Sequence, residues 1–207
     1  LGNLLTFARL DKSTDLRGLW NASDNLHYLG EWNIGFTVNG KTALPVMTKF
    51  EPESQATYYL AEGIEIEKRF FVPFVADDAE DHAAPWQRAG IYLITLKNGK
   101  SEPAEILMTH GVILPAVPSN VFTKQPPEKE YGKRFDVEHR KTSCEVTTIG
   151  AANEARVIGG EGSWSKFAAS DRSVEAECRV RLNGHEVTTT VFAAACSHLG
   201  MAEALSA

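Results

Sequence analysis

Glu65 and Glu67 are the first residues whose type and spacing could carry chemistry. They alternate with Ile64, Ile66 and Lys68, a period of two that puts both carboxylates on one face of a strand. Two carboxylates facing one cleft, one with a raised pKa, can divide general acid and base roles between them. A solvated sheet face is the ordinary role of carboxylates so placed. The acidic run Asp77-Asp78-Ala-Glu80-Asp81 offers oxygen ligands for a cation but lacks the spacing of a calcium loop. Of the six histidines, none stands at metal-ligand spacing, and nothing in the chain asks for a cofactor. His110, at the end of an apolar strand, is the one placed to act as a general acid or base. Its competing role is a satisfied strand-end histidine.

The tryptophans matter differently, because indole stacks on apolar C–H faces and its N–H donates a hydrogen bond. Trp20 ends an apolar strand and reads as core. Trp32 and Trp86 sit in or beside long polar loops, the first of which also holds Asn25 and His27. Exposed loop aromatics mark contact surfaces. Asn25, His27, Trp32 and Trp86 are therefore the expected contact residues, for a saccharide or, by preference, for a partner domain.

Positioning these groups falls to strands. Residues 64–72 alternate and then turn continuously apolar up to Pro73; 89–97 and 104–110 follow, separated by Asn98-Gly99. Asn39-Gly40 and Asn183-Gly184 repeat that dipeptide, the strongest short hairpin signal. Further strands are expected at 4–10, 16–20, 33–38, 41–50 as the partner of 33–38, 56–61, 143–149, 155–158, 173–182 and 186–195. Only 199–205 suits a helix. The glycine-dense Gly159-Gly160-Glu-Gly162 lacks the strand-to-helix setting of a phosphate loop and reads as a turn. About a dozen short strands with almost no helix imply an all-β domain of two packed antiparallel sheets.

The chain has 207 residues, 43% hydrophobic and 23% charged, enough for a core without a metal or disulfide. A net charge of −6 argues against a nucleic-acid surface, and no apolar run reaches the ~20 residues of a membrane span. Cys144, Cys178 and Cys196 are widely spaced and read as buried thiols, with one disulfide among them open. The chain starts at Leu1, without a methionine, and reads as a piece of something longer.

Leu1-Gly-Asn3, a strand, Asp11 and then Leu16-Arg-Gly-Leu-Trp20 together resemble the opening of bacterial and archaeal glucoamylase-type glycosidases. Asn25, His27, Gly35-Phe36 and Asn39-Gly40 follow in the order of that pattern, as do Phe71-Val72-Pro73 and Asn98-Gly99. Gly18 departs from it, standing where the pattern has an acidic residue. The resemblance implies a β-supersandwich related in shape to galactose mutarotases over 1–198, with 199–207 starting a linker helix. A helical-barrel domain carrying the catalytic carboxylates would follow. It further implies a non-catalytic supporting role in carbohydrate metabolism, with oligosaccharide as a possible ligand and the loop 21–32 lent to the cleft. The alternatives are a mutarotase-like epimerase using His110 and a strand glutamate, and a free-standing carbohydrate-binding module.

Overall fold

The computed structural model describes residues 1, 6–21, 27–73, 89–114, 134–197, 201 and 204. These form two antiparallel sheets packed face to face, with strands numbered in chain order. Sheet A runs β1 (Thr6–Leu10), β2 (Leu16–Asn21), β4 (Glu31–Val38), β10 (Ala104–Ile113), β15 (Ser173–Leu182) and β14 (Trp164–Ala169). Two short strands flank that path, β3 (His27–Leu29) on β2 and β5 (Lys41–Thr42) on β4. Sheet B runs β11 (Phe135–His139), β12 (Ser143–Thr148), β13 (Ala151–Gly160) and β16 (Val187–Ser197), then β9 (Ala89–Asn98), β8 (Ile64–Phe71), β7 (Ser54–Ala61) and β6 (Leu44–Phe50). The expected all-β, two-sheet architecture is the observed one. Met201 and Ala204 carry helical backbone, and the rest of 198–207 lies outside the described residues.

Alternation decides what is inside. Trp32, Ile34, Phe36 and Val38 of β4 are buried, as are Ile106, Met108, His110 and Val112 of β10. From sheet B they meet Ile64, Ile66 and Phe70 of β8 and Tyr92, Ile94 and Leu96 of β9. The edge-to-face contact of Tyr92 with Trp32 (5.1 Å) joins the two layers, and Phe70 packs edge-to-face on Tyr92 (4.8 Å) from the neighbouring strand of sheet B.

Two expected hairpins are not hairpins. Asn39 and Gly40, at φ 47° and 83°, do turn β4 into β5, with Val38 paired to Lys41. Asn98-Gly99 and Asn183-Gly184 instead carry the chain from one sheet to the other, since β9 pairs with β8 and β16 while β10 pairs with β4 and β15. The physical reason is Asn98 itself, which is buried. Its side-chain Nδ2 donates to the carbonyls of Glu102 (2.8 Å) and Asn183 (2.9 Å), binding both corners together. The return strand expected at 41–50 is also divided. Lys41–Thr42 pairs with β4, but Leu44–Phe50 crosses to the edge of sheet B beside β7. Three strands went unforeseen, β3, β11 and β14. Gly18 has a local cause: a Cβ there would lie 1.9 Å from the Trp20 ring, so this packing excludes the acidic side chain of the family pattern.

A polar seam crosses the apolar interior. Lys68 of β8 is fully buried, its Nζ 2.7 Å from Asp15 Oδ1 and 3.3 Å from the Ile34 carbonyl. Asp15 Oδ1 also accepts the Ile34 amide at 3.1 Å. Tyr92 Oη accepts the Leu16 amide (2.8 Å) and lies 3.0 Å from the Thr14 carbonyl, its acceptor. Thr14 and Thr57 share a hydroxyl hydrogen bond of 2.7 Å. Burial pushes the Lys68 pKa down, opposed by the charge of Asp15. Removing one member of a buried pair strands the other charge. Asp15→Ala is therefore expected to lower the urea-derived unfolding free energy by about 3–5 kcal/mol. A loss below about 1 kcal/mol would contradict the seam's structural weight.

Candidate functional site

Four strands of sheet A, β4, β10, β15 and β14, lay their outward residues in two rows. One row reads Asn33, Gly111, Glu175, Ala168, and the next reads Gly35, Thr109, Glu177, Lys166. The two glycines sit diagonally and remove side chains from the middle of the sheet. The result is an open groove of about 760 Å³ lined by these residues. Adding a Cβ at Gly111 would meet nothing within 4 Å, so that position opens directly onto the groove. Lys166 Nζ lies 2.9 Å from Glu177 Oε1, and Arg179 reaches Glu177 Oε2 at 3.5 Å. The Glu175 carboxylate, on the same face as Glu177 and two residues away, has no hydrogen-bond or ion-pair partner among the described residues. The groove mixes polar and apolar lining, with one carboxylate uncommitted.

Its underside is aromatic. His110 lies between the outward Thr109 and Gly111 and turns inward, only 3% exposed. Trp32 Nε1 donates to His110 Nδ1 at 3.3 Å, so the neutral ring carries its proton on Nε2, which has no partner among the described residues. Phe192 lies 4.6 Å from the imidazole and Trp164 6.0 Å from it. Burial, with the Lys68 charge second, pushes the His110 pKa down to about 4.

The sequence-predicted residues fall elsewhere. Trp32, expected at a loop tip, is 0% exposed in the core, because β4 begins at Glu31 and Trp32 shares the inward set of Ile34, Phe36 and Val38. That alternation is visible in the sequence and could have placed it. The expected loop 21–31 is itself interrupted by β3, where the His27 backbone pairs with Trp20. Asn25, Trp86 and the acidic run of 77–81 lie outside the described residues. Glu65 and Glu67 are on the outer face of sheet B, paired with Lys97 (3.1 Å) and Arg69 (2.8 Å). They and His110 stand on different sheets and on opposite sides of their layers, so the expected acid–base pair is not brought together. Trp20 is buried as expected. All three cysteines are free and buried, with burial raising the thiols of Cys144 and Cys196 to about 12. Among the described residues no cluster of His, Cys, Asp or Glu could hold a metal ion. The groove residues escaped sequence reading because Asn33, Gly111 and Glu175 are far apart in the chain and meet only through strand register.

No protein-family model matches the sequence, and no curated protein sequence does. Similarity appears at the level of solved structures. The chain is similar to a polysaccharide lyase (TM-score 0.61, 14% identity) over 98% of this chain and 34% of that one. It is also similar to a galactose mutarotase-like protein from Lactobacillus casei ATCC 334 (TM-score 0.55, 8% identity, 95% and 98% covered). A galactose mutarotase related enzyme from Lactobacillus acidophilus aligns over 97% of both chains (TM-score 0.53, 9% identity). The fold is thus the galactose mutarotase-like sandwich, and the chain spans about a third of the lyase's length.

The histidine under the groove gives the protein a definite acid response. Its folded pKa of about 4 lies below the ordinary 6.5, so the unfolded chain binds the extra proton between those values. The stability it contributes is present above pH 6.5 and falls as pH drops towards 4. Between pH 7 and pH 5 this amounts to about 2 kcal/mol, measurable by urea unfolding at each pH. His110→Gln, whose side-chain oxygen can still accept the Trp32 N–H, is expected to flatten that interval. An unchanged slope in the variant would contradict the assignment.

Proposed function

We propose that this chain is the N-terminal, non-catalytic β-supersandwich of a glycoside hydrolase of the glucoamylase or amylo-α-1,6-glucosidase type, seating a helical-barrel catalytic domain. The observation that carries the reading is an apolar strip at the rim of sheet B. Leu44, Val46 and Met47 of β6 and Leu60 of β7 are all exposed, Leu44 at 66% and Val46 at 63%, whereas the exposed Phe50 pairs with the inward Gln55 and stands on the other face of β6. Leu44 stands opposite Leu60, and Met47 opposite Tyr58 beside a bulge at Val46. Val46, Met47, Tyr58 and Leu60 line a depression of about 400 Å³. A lone exposed leucine means little, but a contiguous apolar patch is the mark of an interface. Pro45 lacks an N–H and, with the bulge, blunts the free edge against another strand. Side-chain docking of a helical body is therefore favoured over strand addition. The similarity to one third of a polysaccharide lyase supports the same reading, since there this fold is part of a larger protein.

The epimerase alternative loses its residues, because the His110 imidazole is enclosed in the core and Glu65 and Glu67 face away from it. Two measurements test the proposal. The isolated chain should neither hydrolyse maltose nor interconvert glucose anomers above the buffer rate, as followed by NMR. In the intact enzyme, replacing Leu44 and Met47 together by serine should lower glucosidase turnover at least tenfold while the isolated sandwich melts as before. Anomer interconversion by the isolated chain, or an intact enzyme indifferent to the double substitution, would contradict it.

A further inference from the structure

We infer that the groove over Gly35 and Gly111 is a binding site for a single neutral hexopyranose ring, held between Asn33 and Glu175. The inference rests on the carbohydrate role proposed above but uses the other sheet and a different set of residues. Asn33 and Glu175 occupy one row of sheet A with Gly111 between them. Adjacent strands lie ~4.8 Å apart, so the two backbones are separated by roughly 10 Å across a position without a side chain. That gap admits a flat ring with hydroxyls at both ends. The volume of about 760 Å³ falls inside the ~300–1,000 Å³ of small-molecule sites.

The chemistry of the rim selects the ligand. Asn33, Thr109 and Glu175 have no side-chain hydrogen bond among the described residues, so their capacity is open to the groove. A carboxylate accepts from two vicinal hydroxyls, while an amide both donates and accepts. Sugar hydroxyls supply both functions. Lys166 is committed to Glu177, which leaves Glu175 as the uncompensated charge of the groove. That charge opposes uronates and sulfated sugars and accepts neutral ones. The groove is open on one side, so the affinity of one ring should be on the order of millimolar.

Ligand-observed saturation-transfer NMR on the 207-residue chain tests this, with glucose, galactose and mannose as probes and glucuronate as the acidic control. Transfer to at least one neutral hexose is expected, at least fivefold stronger than to glucuronate. Glu175→Gln should weaken the neutral signal about fivefold. Gly111→Ile is the second variant: its side chain enters open space, and its β-branch suits a strand. It should melt no lower than the wild type yet abolish the transfer. No transfer to any neutral hexose, equal transfer to glucuronate, or binding that survives Gly111→Ile would each overturn the site. None of those results bears on the apolar seat of β6, which its own substitutions decide.

Discussion

A lysine with no access to water holds the two sheets in register. Lys68 rises from sheet B and finds Asp15 and the Ile34 carbonyl in the layer opposite. Tyr92 makes a second crossing to the Leu16 amide, and Gln55 a third to the Thr14 hydroxyl at 3.1 Å. Apolar packing alone tolerates sliding, because one aliphatic contact resembles the next. A buried charge does not, since any shift that separates Lys68 from Asp15 leaves an ammonium without water or counter-ion. Together these contacts define one relative placement of the layers.

The outer face of sheet A inherits that precision through the two-residue period of its strands. Asn33 and Gly35 flank the anchored Ile34, and Thr109 and Gly111 flank His110, which the Trp32 N–H and the Phe192 ring hold from below. On β4, β10 and β15 a residue that lines the groove is thus next in sequence to one locked in the core. Such a platform is formed before any ligand arrives, which spares the ordering cost of binding. The opposite face differs in kind: along β6 it leaves leucine, valine and methionine in water, an exposed apolar surface. One sandwich therefore carries a mixed groove on one face, where sugar binding is proposed, and an apolar rim on the other, where domain docking is proposed.

Much of the architecture was legible in the chain. The alternation of 64–72, 89–97 and 104–110 gave β8, β9 and β10 with their inward faces, and the scarcity of helix pointed to a sandwich. What escaped was non-local. An Asn-Gly pair specifies a sharp corner but not the sheet to which the next strand belongs, and Asn98 shows how such a corner can become a crossing. Trp32 was misread because polar neighbours at 21–31 outweighed its own two-residue phase with Ile34 and Phe36. Buried Lys68 fell within a predicted strand, yet nothing nearby announced its partner 53 residues earlier. The groove was illegible for the same reason, because its defining feature is two missing side chains made adjacent by register.

Amide hydrogen exchange tests the central claim, that the seam makes the groove-bearing sheet a rigid unit. The amides of Leu16, Ile34, His110 and Ala176 should exchange only through global unfolding, with protection free energies equal to the urea-derived stability. Exchange of Ile34 or His110 through local opening, at a free energy well below the global value, would show that sheet A moves independently of sheet B and would contradict the account.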